Sequence, residues 1–185
     1  VVAAMLSQTC FASPAIAAAS SSSAEEAQVT DKIYIDVKGL SQDEPPQRIV
    51  IGLFGKDAPQ AVDMLKALVS PTGLKAPCKP RESRSLQKEQ LEANKVYNSC
   101  LEGQDKGVNY DYATIWRVVK DERIDVGAVS GKFIAREFPN FEGTNDLKND
   151  VPGVVSVRRG NNSGFGFTIY PGNGDSKYID ANHIV

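Results

Sequence analysis

Ala113-Thr114-Ile115-Trp116-Arg117-Val118-Val119, followed by Ile124 to Val129, Val154-Val155-Ser156-Val157 and Phe165-Gly166-Phe167-Thr168-Ile169-Tyr170, decides the fold class. Each run is short and rich in β-branched and aromatic residues, which suit a pleated surface, and glycines and Asn/Asp clusters separate the runs. Toward the N-terminus, Ile33-Tyr34-Ile35-Asp36-Val37 and Arg48-Ile49-Val50-Ile51-Gly52-Leu53-Phe54 carry the same signature and read as a strand pair. Between these groups Asp57-Ala58-Pro59 opens a helix. Val62, Leu65 and Val69, with Met64 and Leu68, recur there at helical spacing until Pro71 to Gly73 stop it. Several short strands, one early helix and no βαβ alternation imply a mainly β chain, folded as an antiparallel barrel or sandwich.

The segment from Lys75 to Asn94 differs in kind, with Pro77, Pro80 and then a charge-dense stretch from Arg81 to Glu92 whose only apolar members are Leu86 and Leu91. It reads as a surface insertion, helical in its second half, spanning about 71–112 in all. Cys78 and Cys100 bracket it; they could close a disulfide in an oxidising compartment or remain two free thiols, and spacing alone does not choose.

Over its 185 residues the chain is 41% apolar and 24% charged, an ordinary globular balance sufficient for one core. Lys and Arg number 21 against 23 Asp and Glu, without a basic block, which argues against a nucleic-acid or anionic-membrane binder. With 3 Cys and 1 His, no zinc-ligand spacing is available, so no metal or other cofactor is expected.

No charged residue precedes Glu25, and the apolar run from Val1 to Ala12 leads into Ser13-Pro14-Ala15-Ile16-Ala17, an Ala-x-Ala-like cleavage site. Residues 1–30 therefore read as an export signal and a Ser-rich linker, ahead of a single domain over 31–185. The apolar run is too short for a spanning helix and is interrupted by Pro14, so no stable membrane anchor is expected after processing. A start at Val1, with neither Met nor a basic n-region, gives the expectation that residues upstream are missing.

The ordered set of strand, strand, Asp-Ala-Pro helix, Ile-Trp-Arg-Val-Val, Val-Pro-Gly-Val-Val-Ser-Val, Ser-Gly-Phe-Gly-Phe and Tyr-Ile-Asp-Ala-Asn-His-Ile-Val is similar to the cyclophilin family of peptidyl-prolyl cis-trans isomerases. The resemblance runs from about Ile33 to Val185, interrupted by the insertion. It implies a closed eight-stranded antiparallel barrel capped by two helices. It further implies that a C-terminal helix and closing strand are missing after Val185. The export signal together with a resemblance to divergent plant members suggests the thylakoid lumen, with bacterial periplasm or secretion as the alternative.

Isomerisation of an Xaa-Pro bond is slow because amide resonance raises a barrier of about 18 to 20 kcal/mol. A catalyst therefore needs an apolar seat for the proline ring and a fixed donor for the prolyl nitrogen or the neighbouring carbonyl, and neither nucleophile nor metal. By resemblance Arg117 is the catalytic arginine, whose planar guanidinium stays charged and offers several donors. The same resemblance makes Phe167 a pocket aromatic, Ile179 a pocket aliphatic, His183 a pocket-wall residue and Tyr178 a peptide-contacting ring. Asp125 stands where the family carries a substrate-binding amide.

Glu122-Arg123-Ile124-Asp125 replaces apolar pocket residues and that amide by charges, and Val157-Arg158-Arg159 puts cations where small or amide residues are usual. Two readings stay open. One is an isomerase (rotamase) with a divergent, weak site, acting on proline-containing peptides or proteins during folding; the other is a non-catalytic cyclophilin-like binding or assembly module. Oligomeric state is not legible.

Overall fold

The computed structural model describes residues 27–39, 43–80, 86–128, 135–161, 163–172 and 174–185. The export signal expected in the first part of the chain lies outside the described residues.

Strands β1 (Asp31–Val37) and β2 (Gln47–Leu53) form a two-stranded antiparallel sheet in unbroken register from Asp31 opposite Leu53 to Val37 opposite Gln47. Alternation puts Ile33, Ile51 and Leu53 inward, while Tyr34 and Val50 face out. Helix α1 (Pro59–Val69) begins with Pro59 in its first turn, where a missing N–H costs nothing, and buries Ala61, Val62, Met64, Leu65 and Leu68. Those side chains form one apolar cluster with β1, β2, Val157, Phe165, Phe167 and Ile184, so the core lies between α1 and both sheets.

The insertion leaves the core at a closed base. Leu74 and Val108 exchange both backbone hydrogen bonds, at 2.8 and 2.9 Å. The chains approach so closely there that a Cβ on Gly107 would sit 2.0 Å from the Thr72 carbonyl oxygen, which restricts the position to glycine. Beyond the base runs α2 (Gln87–Glu102), whose one buried residue is Cys100. That cysteine is bonded to Cys78, with Cα atoms 6.0 Å apart. Arg136 adds a second tie, donating from its guanidinium to the carbonyls of Ala76 at 2.6 Å and Gly103 at 3.1 Å.

The remaining strands are β3 (Thr114–Val119), β4 (Arg123–Ala128), β5 (Val155–Arg158), β6 (Phe167–Ile169) and β7 (His183–Ile184), with α3 (Lys177–Asn182) before the last. They form one antiparallel sheet in the order β3-β4-β6-β5-β7.

The expected closed eight-stranded barrel with two capping helices is corrected by this topology. The described residues hold seven strands in two open sheets, and three helices. A barrel closes only when every strand is hydrogen-bonded on both sides. Here β1 and β2 pair only with each other, while β3 and β7 each have one neighbour. The β3 edge is correspondingly bare: Ile115, Trp116 and Val118 are 45%, 51% and 67% exposed.

Candidate functional site

One face of the five-stranded sheet carries a transverse row of polar side chains, and strand register puts them there. The β3–β4 hairpin turns through Lys120, Asp121 and Glu122, with Asp121 at a φ of 62°, a left-handed conformation that Asp tolerates better than most residues. That turn sets Arg117 opposite Asp125; Asp125 then faces Thr168 on β6, and Thr168 faces Ser156 on β5. Arg158, two residues beyond Ser156 and so on the same face, is opposite His183 on β7.

Hydrogen bonds join the row in two groups. Arg117 Nε donates to Asp125 Oδ2 at 2.5 Å, and Thr168 Oγ1 donates to Asp125 Oδ1 at 2.7 Å. Asp125 is 5% exposed and Thr168 3%, so the carboxylate is a buried acceptor with both oxygens occupied. Farther along, Ser156 Oγ lies 3.2 Å from His183 Nδ1. The Arg117 guanidinium carbon sits 4.4 Å above the Trp116 ring centroid and the side chain is partly open to solvent. With Nε committed to Asp125, its terminal N–H groups make no hydrogen bond among the described residues.

Arg123 enters the same face from β4. Its guanidinium lies 5.0 Å from the Tyr178 ring centroid, and its Nε lies 3.5 Å from Glu122 Oε1 and 3.6 Å from Asp125 Oδ2. Nε is buried and makes no hydrogen bond. Burial, helped by the positive charges of Arg123 and Arg158 and opposed by Asp125, pushes His183 down from 6.5 to about 4. The ring is therefore neutral near pH 7, with Nδ1 in hydrogen-bonding distance of Ser156 Oγ.

Helix α3 delivers His183, Tyr178 and Ile179. It is anchored through Asp180, which accepts from the backbone N–H and side-chain amide of Asn149, both at 2.8 Å, and from the Ser176 hydroxyl at 2.9 Å. Burial alone would raise the Asp180 carboxyl, but these donors hold it below its ordinary value.

Of the residues singled out from sequence, Arg117, Asp125 and His183 share this face, and Tyr178 borders it through Arg123. Phe167 does not: its position in β6 turns it to the other side, where it joins the core and meets Tyr110 edge-on, centroids 5.8 Å apart. Ile179 is fully buried. Thr168, Ser156 and Arg123 belong to the row as well; of these only Arg123 had been named from sequence, as a charge in place of an apolar pocket residue. A signal for two of them was present in the runs Phe167-Thr168-Ile169 and Val155-Ser156-Val157, which repeat the pattern of Ile124-Asp125-Val126: one polar residue between two apolar ones. In a two-sided strand such a residue marks the face opposite the core.

Elsewhere, an open depression of about 430 Å3 is lined by Asn140, Phe141, Glu142, Thr144, Arg159 and Gly160. Among the described residues no three His, Cys, Asp or Glu side chains gather as a metal site, and no helix is long and apolar enough to cross a membrane. No protein-family model matches the chain.

Proposed function

We propose that the chain is a cyclophilin-like peptidyl-prolyl cis-trans isomerase whose reacting bond lies over Arg117. The observation that carries this reading is the fixed guanidinium: Asp125 holds Arg117 by Nε and is itself held by Thr168. A donor locked before substrate arrives costs little reorganisation when the amide twists and the prolyl nitrogen lone pair localises. Arg117 then donates to that nitrogen or to the neighbouring carbonyl, and the twisted state is favoured over both planar isomers. Neutral His183 and the Tyr178 ring form the wall along which the peptide lies, and no proton changes hands. The Cys78–Cys100 bond is in keeping with an oxidising, exported compartment, such as the thylakoid lumen or, alternatively, the periplasm or the exterior.

The second reading, a non-catalytic binding or assembly module, is favoured by a different observation. Phe167 faces the core, and Arg123 and Asp125 make the wall next to Arg117 polar, so the apolar seat that a proline ring needs is poorly furnished. The test is cis-to-trans relaxation of an Xaa-Pro peptide. The isomerase reading expects acceleration that falls about 100-fold or more in Arg117→Ala, the scale of losing one fixed donor. Relaxation at the uncatalysed rate with folded protein decides for the binding module.

A further inference from the structure

The charges on the row are unequal in number and in partners. Three guanidinium groups, of Arg117, Arg123 and Arg158, share the face with one buried carboxylate, Asp125, and with Glu122 beside Arg123. Asp125 is committed to Arg117 and Thr168, and Glu122 stands 3.5 Å from Arg123. Arg158 is exposed, and among the described residues no carboxylate pairs with it. One guanidinium is thus left over, at the end of the row away from Arg117, and the buried Arg123 Nε on the same face has no hydrogen bond.

We infer that the site selects proline-containing peptides bearing an anionic side chain, carboxylate or phosphate, a few residues from the proline, with Arg158 as the group that reads it. This rests on the proposed use of Arg117 at the prolyl bond. Arg117 and Arg158 are separated by three strand spacings and by two residues along the strand, roughly 16 Å in all, a distance an extended peptide covers in about five residues. The reach of the arginine side chains shortens that span, so the anionic residue belongs about two to four residues from the proline. Arg158 supplies the contact because its donors are open and fork-shaped, suited to carboxylate or phosphate oxygens. Arg123, largely covered, adds to the field without needing to touch the ligand. A peptide with lysine at the same place meets an uncompensated cation and is disfavoured.

The test titrates the protein with labelled peptides that hold Glu, phosphoserine, Gln or Lys at two, three or four residues from a single proline, on either side. Affinity is followed by NMR shifts, and cis-trans exchange is followed in the same samples. The expected result is about tenfold tighter binding of Glu or phosphoserine peptides than of Gln peptides, weakened by added salt. Arg158→Gln should abolish the preference, and Arg158→Glu should turn it toward Lys; both changes are on an exposed side chain, and circular dichroism checks that they leave the fold intact. Separate Glu and phosphoserine arms show which anion is the better fit. Equal affinities, no binding, or a preference indifferent to both variants overturns the inference. Anionic preference without faster exchange retains Arg158 as selector and removes the isomerase reading, whereas faster exchange without preference does the reverse.

Discussion

Thr168 and Asp125 face each other across β6 and β4, and the threonine hydroxyl donates to the carboxylate at 2.7 Å, leaving the other oxygen for Arg117. The pair acts as the footing of the arginine: Asp125 touches Arg117, and Thr168 touches Asp125. Losing the hydroxyl leaves a buried carboxylate oxygen without its donor.

Thr168→Val removes that donor at nearly constant volume, and it should destabilise the protein by about 1 to 3 kcal/mol in chemical unfolding. If Thr168 is a positioning residue, kcat for Xaa-Pro relaxation falls while KM stays near the wild-type value, and Thr168→Ser restores most of both stability and rate. An equal loss in Thr168→Ser would assign the effect to packing of the methyl group.

The two aromatic rings proposed for the pocket should separate cleanly. Phe167 is 4% exposed within the core and Tyr178 is 51% exposed beside Arg123. Phe167→Ala is expected to cost about 3 to 5 kcal/mol of stability. Tyr178→Ala should leave the melting transition almost unmoved and weaken peptide binding instead; an unchanged affinity would remove Tyr178 from the peptide path.

Acid should expose the buried imidazole. His183 takes a proton at about 4 in the folded chain against 6.5 when unfolded, so on acidification the unfolded state binds the proton first. The stability it contributes is complete above pH 6.5 and is lost as pH falls toward 4, by roughly 3 kcal/mol in all. Unfolding free energies measured across that window should decline for the wild type and stay flatter for His183→Gln. NMR titration of the single imidazole gives the folded value directly.

Reduction should loosen the insertion more than the site. The Cys78–Cys100 bond spans a separation of 22 residues, for which loop-closure entropy gives roughly 3 kcal/mol. Because Cys100 is the one buried residue of α2, amide exchange in that helix should accelerate most on reduction. The amides of β4 and β6, held in the five-stranded sheet, should remain protected until global unfolding; simultaneous loss would mean that the insertion and the body unfold as one unit.

The sequence by itself determined the local elements. Alternating apolar runs mark the strands, and Val62, Leu65 and Val69 with Met64 and Leu68 mark the buried stripe of α1, because side-chain periodicity is a local property of the backbone. Ile-Asp-Val, Phe-Thr-Ile and Val-Ser-Val likewise contained the row, one polar residue per strand. Only the tertiary structure decided which strands meet and how the rows align. The polar residue of each triplet marks the face away from the core, but only the register of β6 against β4 brings Thr168 opposite Asp125, and a shift of one residue would put Phe167 there. The same holds for closure: eight strands or seven, a barrel or two open sheets, depends on hydrogen bonds between residues far apart in sequence, and those are set by packing around α1. The spacing of Cys78 and Cys100 was visible from the start, but the disulfide follows from the fold that brings their Cα atoms within 6.0 Å.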